Sequence, residues 1–111
     1  MVKPIVLKTK DTEYTLEFNR ESVKFAEMRG FIVEDVTNFP MLKVPELFFY
    51  AFRMHHKNVA RDKTDKILDE LGGLPEGFVA RLVELYSEPY NFLIESAEGE
   101  ERKNSKWTVE M

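Results

Sequence analysis

The residues best suited to chemistry are two adjacent histidines and a group of acidic residues that follows them. His55 and His56 stand in a stretch with helical periodicity, so their side chains diverge by about 100° and cannot share one metal ion as an i, i+4 pair does. Four acidic residues have the i, i+3 and i, i+4 spacings that can hold a cation: Asp62, Asp65, Asp69 and Glu70. Three basic residues are interleaved with them: Arg61, Lys63 and Lys66. Ion pairing on a solvated helix is the simpler interpretation, so we expect no metal site and no cofactor.

Motifs of common catalytic and nucleotide-binding sites are also missing from the sequence. The chain has no cysteine, which excludes disulfides, thiolate metal sites and cysteine nucleophiles and fits a reducing cytoplasm. It contains no G-x-S-x-G, no P-loop and no G-x-G-x-x-G motif, and Gly72-Gly73 is better explained as a helix end than as a phosphate-binding loop. We therefore expect that the protein is not an enzyme and has no catalytic residue.

Charge and hydropathy exclude two further classes of partner. The chain has 16 Lys and Arg against 20 Asp and Glu, a net charge of −4, and the basic residues are scattered among acidic ones. A nucleic-acid-binding protein needs a positive surface to neutralise phosphates, so we expect no nucleic-acid partner. No apolar run approaches the roughly 20 residues that span a bilayer, and residues 1–4 carry no signal-peptide core, so we expect no membrane association.

The elements that must position any site begin with a predicted β-hairpin over residues 2–18. Ile5 and Leu7 in the first arm, and Tyr14, Leu16 and Phe18 in the second, alternate with more polar residues, which indicates one buried face. A polar turn at residues 9–12 joins the arms.

Helical periodicity then predicts about four helices. The first is capped by Asn19 and ends at Arg29 before Gly30, and the second follows a connector and runs from about Pro40 to Lys57. A third covers residues 63–71, and the last runs from residue 75 or 76 to 95 with a kink at Pro89. This pattern predicts a mostly helical α+β fold with one domain at residues 1–95. A polar tail covers residues 96–111, and alternation at 106–111 makes a third strand possible, in the same chain or in a neighbour.

The second helix has an unusually wide apolar surface. Apolar side chains between Val44 and Met54 cover about 220° of its circumference, leaving a narrow polar strip that contains Lys43, Glu46, Tyr50 and Arg53. Such a helix is either central to the fold or also buried against another chain. Because aromatic residues at a surface boundary are typical of protein interfaces, we expect Phe49, Tyr50 and Arg53 to bind a protein partner, with Trp107 of the tail as a further candidate.

Several strings along the chain match a known group of proteins. They are PIVL at 4–7, YTLEFNR at 14–20, RGF at 29–31, PELF at 45–48, MHH at 54–56 and KW at 106–107. With these strings the chain resembles small tail assembly chaperones of long-tailed phages and prophages of Gram-positive bacteria, and the likeness spans nearly its whole length.

The resemblance implies a function in the infected cell. Such chaperones bind the long, aggregation-prone tape measure protein until tail tube protein replaces them, and they self-associate. They act in the host cytoplasm, are absent from the mature virion and often have a longer form made by programmed frameshift. Two alternatives stay open: a minor structural or connector protein of the phage, and a small phage-encoded regulator that binds a host protein.

Overall fold

The computed structural model describes residues 2–93, which form an α+β fold that is mostly helical, as predicted. A two-stranded hairpin comes first, with β1 at Ile5–Lys8 and β2 at Glu13–Leu16. Five helices follow: α1 at Arg20–Met28, α2 at Asp35–Asn38, α3 at Pro40–Phe52, α4 at Arg61–Leu71 and α5 at Phe78–Leu93. The predicted tail and the end of the predicted 1–95 domain lie outside the described residues.

The hairpin is antiparallel and has the buried face that the alternation predicted. Ile5 pairs with Leu16 and Leu7 with Tyr14, and the side chains of Leu7, Tyr14 and Leu16 are buried. At the predicted turn, the Thr9 N–H and side-chain hydroxyl both donate to the Thr12 carbonyl, at 2.8 and 3.0 Å.

Both ends of α1 are set by local chemistry that the sequence revealed. The Asn19 side chain accepts from the Ser22 N–H at 2.8 Å, and the Asn19 N–H donates to the Ser22 hydroxyl at 2.9 Å, which makes a reciprocal capping box. At the other end Gly30 has a φ of 87°, and the Phe31 N–H donates to the Ala26 carbonyl at 3.1 Å. This Schellman arrangement directs the chain from α1 into the connector.

The second long helix, α3, starts where expected and ends earlier. Pro40 occupies its first position, where a missing N–H costs nothing. The prediction that this helix continues to Lys57 is wrong, because regular helix ends at Phe52 and the chain turns over the next residues. The turn brings His56 against β2, where its ring accepts a hydrogen bond from the Thr15 N–H at 2.9 Å. A contact with the hairpin has therefore overridden the helical periodicity.

The last two helices follow the prediction closely. Helix α4 ends at Gly72, which has a left-handed φ of 70°, and begins two residues earlier than expected. Helix α5 begins at Phe78, two or three residues later than predicted, and continues through Pro89, as the unbroken periodicity predicted, so the proline does not open a loop.

One core joins these elements, and α3 lies at its centre. The hairpin, α1, α4 and α5 all contact α3, and its residues Leu47, Phe48, Ala51 and Phe52 are fully or almost fully buried. Edge-to-face aromatic contacts tie the core together, with ring centroids 5.1 Å apart for Tyr14–Phe52 and 5.0 Å for Phe18–Tyr86. Within residues 2–93, no helix combines the length and apolarity needed to cross a membrane.

Candidate protein-binding site

Tyr50 lies in the core and not on a polar strip. Its side chain is only 5% exposed, and its ring packs edge-to-face on Phe31 and Phe25 with centroids 5.3 and 6.0 Å away. The prediction that Tyr50 lies in a polar strip of this helix is wrong, because α1 and the connector after it cover this side of α3. The protein-binding role predicted for Tyr50 stays untested, and its burial leaves little surface with which to bind.

Arg53 lies at the contact between α3 and α1. Its guanidinium stacks on the Phe25 ring at 3.8 Å from the centroid, and its Nη2 lies 3.3 Å from a carboxylate oxygen of Glu21. The Arg53 Nε is buried and has no hydrogen-bond partner among the described residues. These contacts give Arg53 a role in holding α1 on α3, so Tyr50 and Arg53, half of the strip predicted as polar, face a neighbouring helix.

The structure describes one of the two remaining predicted binding residues, Phe49, and does not describe the other, Trp107. Phe49 is half-buried at the edge of the core, with its ring 5.3 Å from that of Tyr50, so part of it remains accessible as predicted. Trp107 lies outside the described residues. The structure therefore brings Phe49, Tyr50 and Arg53 together on one side of α3 and does not test the place of Trp107.

Four consecutive exposed apolar residues stand at the start of α3: Phe39, Pro40, Met41 and Leu42. We call this segment the apolar run. All four residues are exposed, with fractions of 54% for Phe39, 88% for Met41 and 65% for Leu42. Runs of four exposed apolar residues are unfavourable unless they serve a function, and apolar surface of this kind marks protein contacts. This segment was not among the predicted binding residues, because the wide apolar surface of α3 was inferred from residues 44–54. The sequence feature that could have indicated this exposed segment is the uninterrupted apolar stretch before the first charged residue of the helix, Lys43.

The apolar run is also a poor start for a helix. Phe39 offers no side-chain cap to the free amides, and the first turn contains no acidic residue. A Ser, Thr, Asp or Asn cap and nearby carboxylates are the usual means of stabilising such an end, together worth about 1–2 kcal/mol. The run therefore departs from local rules in a way that no contact within the described residues explains, which is typical of functional surfaces.

The two histidines support the hairpin. The neutral ring of His56 accepts from the Thr15 N–H, and His55 Nε2 lies 2.8 Å from a Glu17 carboxylate oxygen. Partial burial, together with the nearby His55, lowers the pKa of His56 below its ordinary value of 6.5. Among the residues that the structure describes, no group of three or more His, Asp or Glu is arranged to hold a metal ion.

Tyr86 is the most deeply buried ionisable side chain within residues 2–93. Its ring is inaccessible, and its hydroxyl has no hydrogen-bond partner within residues 2–93. Burial, followed by the nearby carboxylates of Glu27 and Glu34, raises the pKa of Tyr86 far above its usual range. A phenol that stays protonated and enclosed by core aromatics is suited to packing.

A polar cleft of about 560 Å³ separates the hairpin turn from α4. Four lysines line it, Lys8, Lys10, Lys63 and Lys66, and all four are exposed to solvent. Asp11 and Glu70 line the same cleft, so its charge is mixed, and its exposed, hydrated lysines attract anions only weakly.

Comparison with known proteins identifies one family. A family model described as "Domain of unknown function (DUF5055)" matches residues 1–111. No curated protein and no solved structure matches the chain.

Proposed function

The chain belongs to the DUF5055 family, and we propose that it is a non-enzymatic chaperone of phage tail assembly. In this proposal it binds the tape measure protein and further copies of itself in the host cytoplasm, gives way to tail tube protein, and is absent from the mature virion. The resemblance of the sequence to tail assembly chaperones supports a function in phage tail assembly. The observation that carries the binding role is the apolar run at the start of α3, with four consecutive exposed apolar residues.

The apolar run suits a helical, amphipathic client. A client helix of this kind binds by laying its apolar stripe on exposed apolar side chains, and tape measure proteins are long and helical. The run belongs to a helix whose other end is locked into the core, so the surface is held in a fixed place. A preorganised surface loses less conformational entropy on binding than a flexible one does.

The geometry of α3 extends this surface toward Phe49. Residues seven apart on a helix lie on nearly the same face, so Leu42 and the half-buried Phe49 are aligned about 10 Å apart along the axis. Leu42 and Phe49 together give the i, i+7 spacing with which two helices commonly interlock. We therefore propose Met41, Leu42 and Phe49 as the main client contacts, while Arg53, at the far end of the same face, holds that end on α1.

Co-expression with the tape measure protein encoded by the same phage or prophage tests the proposal. We expect a soluble, stoichiometric complex on affinity purification and sizing, and a loss of at least about tenfold in affinity for Met41→Asp and Leu42→Asp. Val6→Asp is the matched control, because Val6 is also an exposed apolar residue, 53% accessible, but lies on the hairpin. It should bind as the unaltered chain does.

Other results would redirect the assignment. If the tape measure protein stays insoluble with this chain, and also with any longer frameshifted form, the chaperone proposal is abandoned. Recovery of the protein from purified virions favours the structural or connector alternative. A tight complex with a host protein that ignores tail proteins favours the regulator.

A further inference from the structure

The outer edge of one strand of the hairpin has hydrogen-bond partners, and the outer edge of the other strand does not among residues 2–93. The outer edge of β2 is closed by the end of α3 and the turn after it, because the Thr15 N–H donates to His56 and the Glu17 N–H donates to the Ala51 carbonyl at 3.1 Å. Outward and inward amides alternate along an antiparallel strand, so the ladder between the strands passes through the pairs Ile5–Leu16 and Leu7–Tyr14. The N–H and C=O of Val6, which faces Thr15, therefore point away from β2.

The outer edge of β1 is open over the described part of the chain. The sheet there has two strands, and the Val6 N–H has no hydrogen-bond partner among residues 2–93. Proteins usually cover or blunt such an edge, because its free backbone groups pair with any strand that reaches them. Pro4, which lacks an N–H, limits the edge at its start, and the exposed Lys8 stands at its end.

A cavity lies beside this open edge, on the core side of the sheet. It has a volume of about 280 Å³ and is lined by Ile5, by the loop at 75–77, and by Phe78 and Arg81 of α5. Ile5 and Phe78 pack on the core but stay half-buried. The core is therefore partly open to solvent beside β1. A third strand paired with β1 would place an inward side chain at this position.

We propose that residues 106–111 of the same chain form this third strand and place Trp107 in the cavity. The segment reads Lys-Trp-Thr-Val-Glu-Met, so Trp107, Val109 and Met111 share one face and three polar residues share the other. When the apolar face points inward, Trp107 lies over Ile5 and Phe78 and the polar face continues the solvated side of the hairpin. Trp107 then completes the fold of its own chain instead of binding a partner.

The same chain can supply the strand because the distances are short. The Val2 N–H donates to the Glu88 side chain, so the start of the hairpin is fixed beside α5. From Leu93, the tail must return along α5 to the level of Phe78, about 22 Å for 15 residues of helix. The 12 residues from 94 to 105 reach at most about 40 Å. A tethered strand acts at roughly millimolar effective concentration, so it outcompetes a second copy at micromolar concentration.

Hydrogen exchange of the full chain, resolved by residue, tests the inference. We expect the Val6 amide to be protected, and Thr108→Pro to speed its exchange by at least about tenfold because proline breaks strand pairing. The Leu7 amide lies inside the ladder and reports that the hairpin itself is intact. Asn104→Pro, in the tail but before the segment, is the matched control and should leave Val6 protected.

The single tryptophan gives a second, independent measurement. Trp107 fluorescence should be shielded from a soluble quencher in the unaltered chain and become accessible in Thr108→Pro. Free exchange at Val6 together with a fully quenched Trp107 in the unaltered chain would overturn the proposal. So would protection that rises with protein concentration alongside a dimer mass, because the strand would then come from a second copy. None of these readouts depends on the tape measure protein, so the outcome is separate from that of the chaperone proposal.

Discussion

The two ends of α3 are similarly apolar and lie in opposite surroundings. At its end, Phe48 contacts Phe78 of α5 and Phe52 contacts Tyr14 of β2, and both phenylalanines are buried. At its start, the apolar run of residues 39–42 is exposed. The difference shows that an apolar helical face predicts burial only where other elements reach it. The part left uncovered is the candidate binding surface.

The largest expected difference between the two ends is in stability. Phe48→Ala should lower the free energy of unfolding by about 3–5 kcal/mol, because it leaves a cavity in a closed aromatic core. Met41→Ala should change it by less than about 0.5 kcal/mol, because this side chain lies in solvent. Urea denaturation of both variants measures the contrast. Similar losses would mean that the apolar run is covered in solution, by self-association or by the tail.

Much of the fold was predictable because its signals are local. Period-2 alternation predicted the hairpin. Asn19 and Gly30 marked the start and end of α1, and Gly72 marked the end of α4. Each of these depends on chemistry within a few residues, such as a side-chain cap or a left-handed φ.

The candidate site was only partly predictable because it depends on contacts between distant elements. Tyr50 looked polar on a helical wheel, yet α1 and the following connector bury it. His56 extended the helical pattern, but its hydrogen bond to Thr15, 41 residues away, draws it out of the helix. The uninterrupted apolar stretch at 39–42 is visible in the sequence, but which elements cover it depends on the packing of distant parts of the chain.

The closed end of α3 should also be sensitive to pH through His56. Only the neutral ring can accept from the Thr15 N–H, and burial lowers the pKa of His56 below its ordinary value of 6.5. The stability from this bond is therefore complete above about pH 6.5 and declines as the pH falls below that value. We expect a loss of about 1 kcal/mol on going from about pH 7.5 to 5.5, measured by urea denaturation at each pH.

Two variants identify the group responsible for this loss. His56→Gln keeps a hydrogen-bond acceptor without titrating, so it should remove most of the pH dependence in that window. His55→Gln is the control: it leaves the bond between His56 and Thr15 in place, and because His55 is the smaller of the two causes that lower the His56 pKa, most of the pH dependence should remain. If His55→Gln abolishes the dependence and His56→Gln does not, the assignment to His56 is wrong.

A smaller effect is expected at Arg53, which joins the buried half of α3 to α1. Arg53→Met keeps the apolar stem but removes the cation stacked on Phe25 and the ion pair with Glu21. We expect a loss of about 1 kcal/mol in unfolding free energy, mostly from the stacking, because the ion pair is partly exposed. Arg53→Lys should recover part of it. A residue that served only to bind a partner would leave the stability of the free chain unchanged.

The smallest expected effect on stability is at Leu42. This residue gives the most informative test of the difference between the two ends of α3. Leu42 is the third residue of α3, a position where an acidic side chain interacts favourably with the free amides of the first turn. Leu42→Asp should therefore leave the unfolding free energy within about 0.5 kcal/mol of its original value, or raise it slightly. A variant that is neutral for folding and yet abolishes client binding would show that leucine is retained there for the partner. A loss above about 2 kcal/mol would instead show that the start of α3 is buried in solution, and the apolar run would then belong to the core.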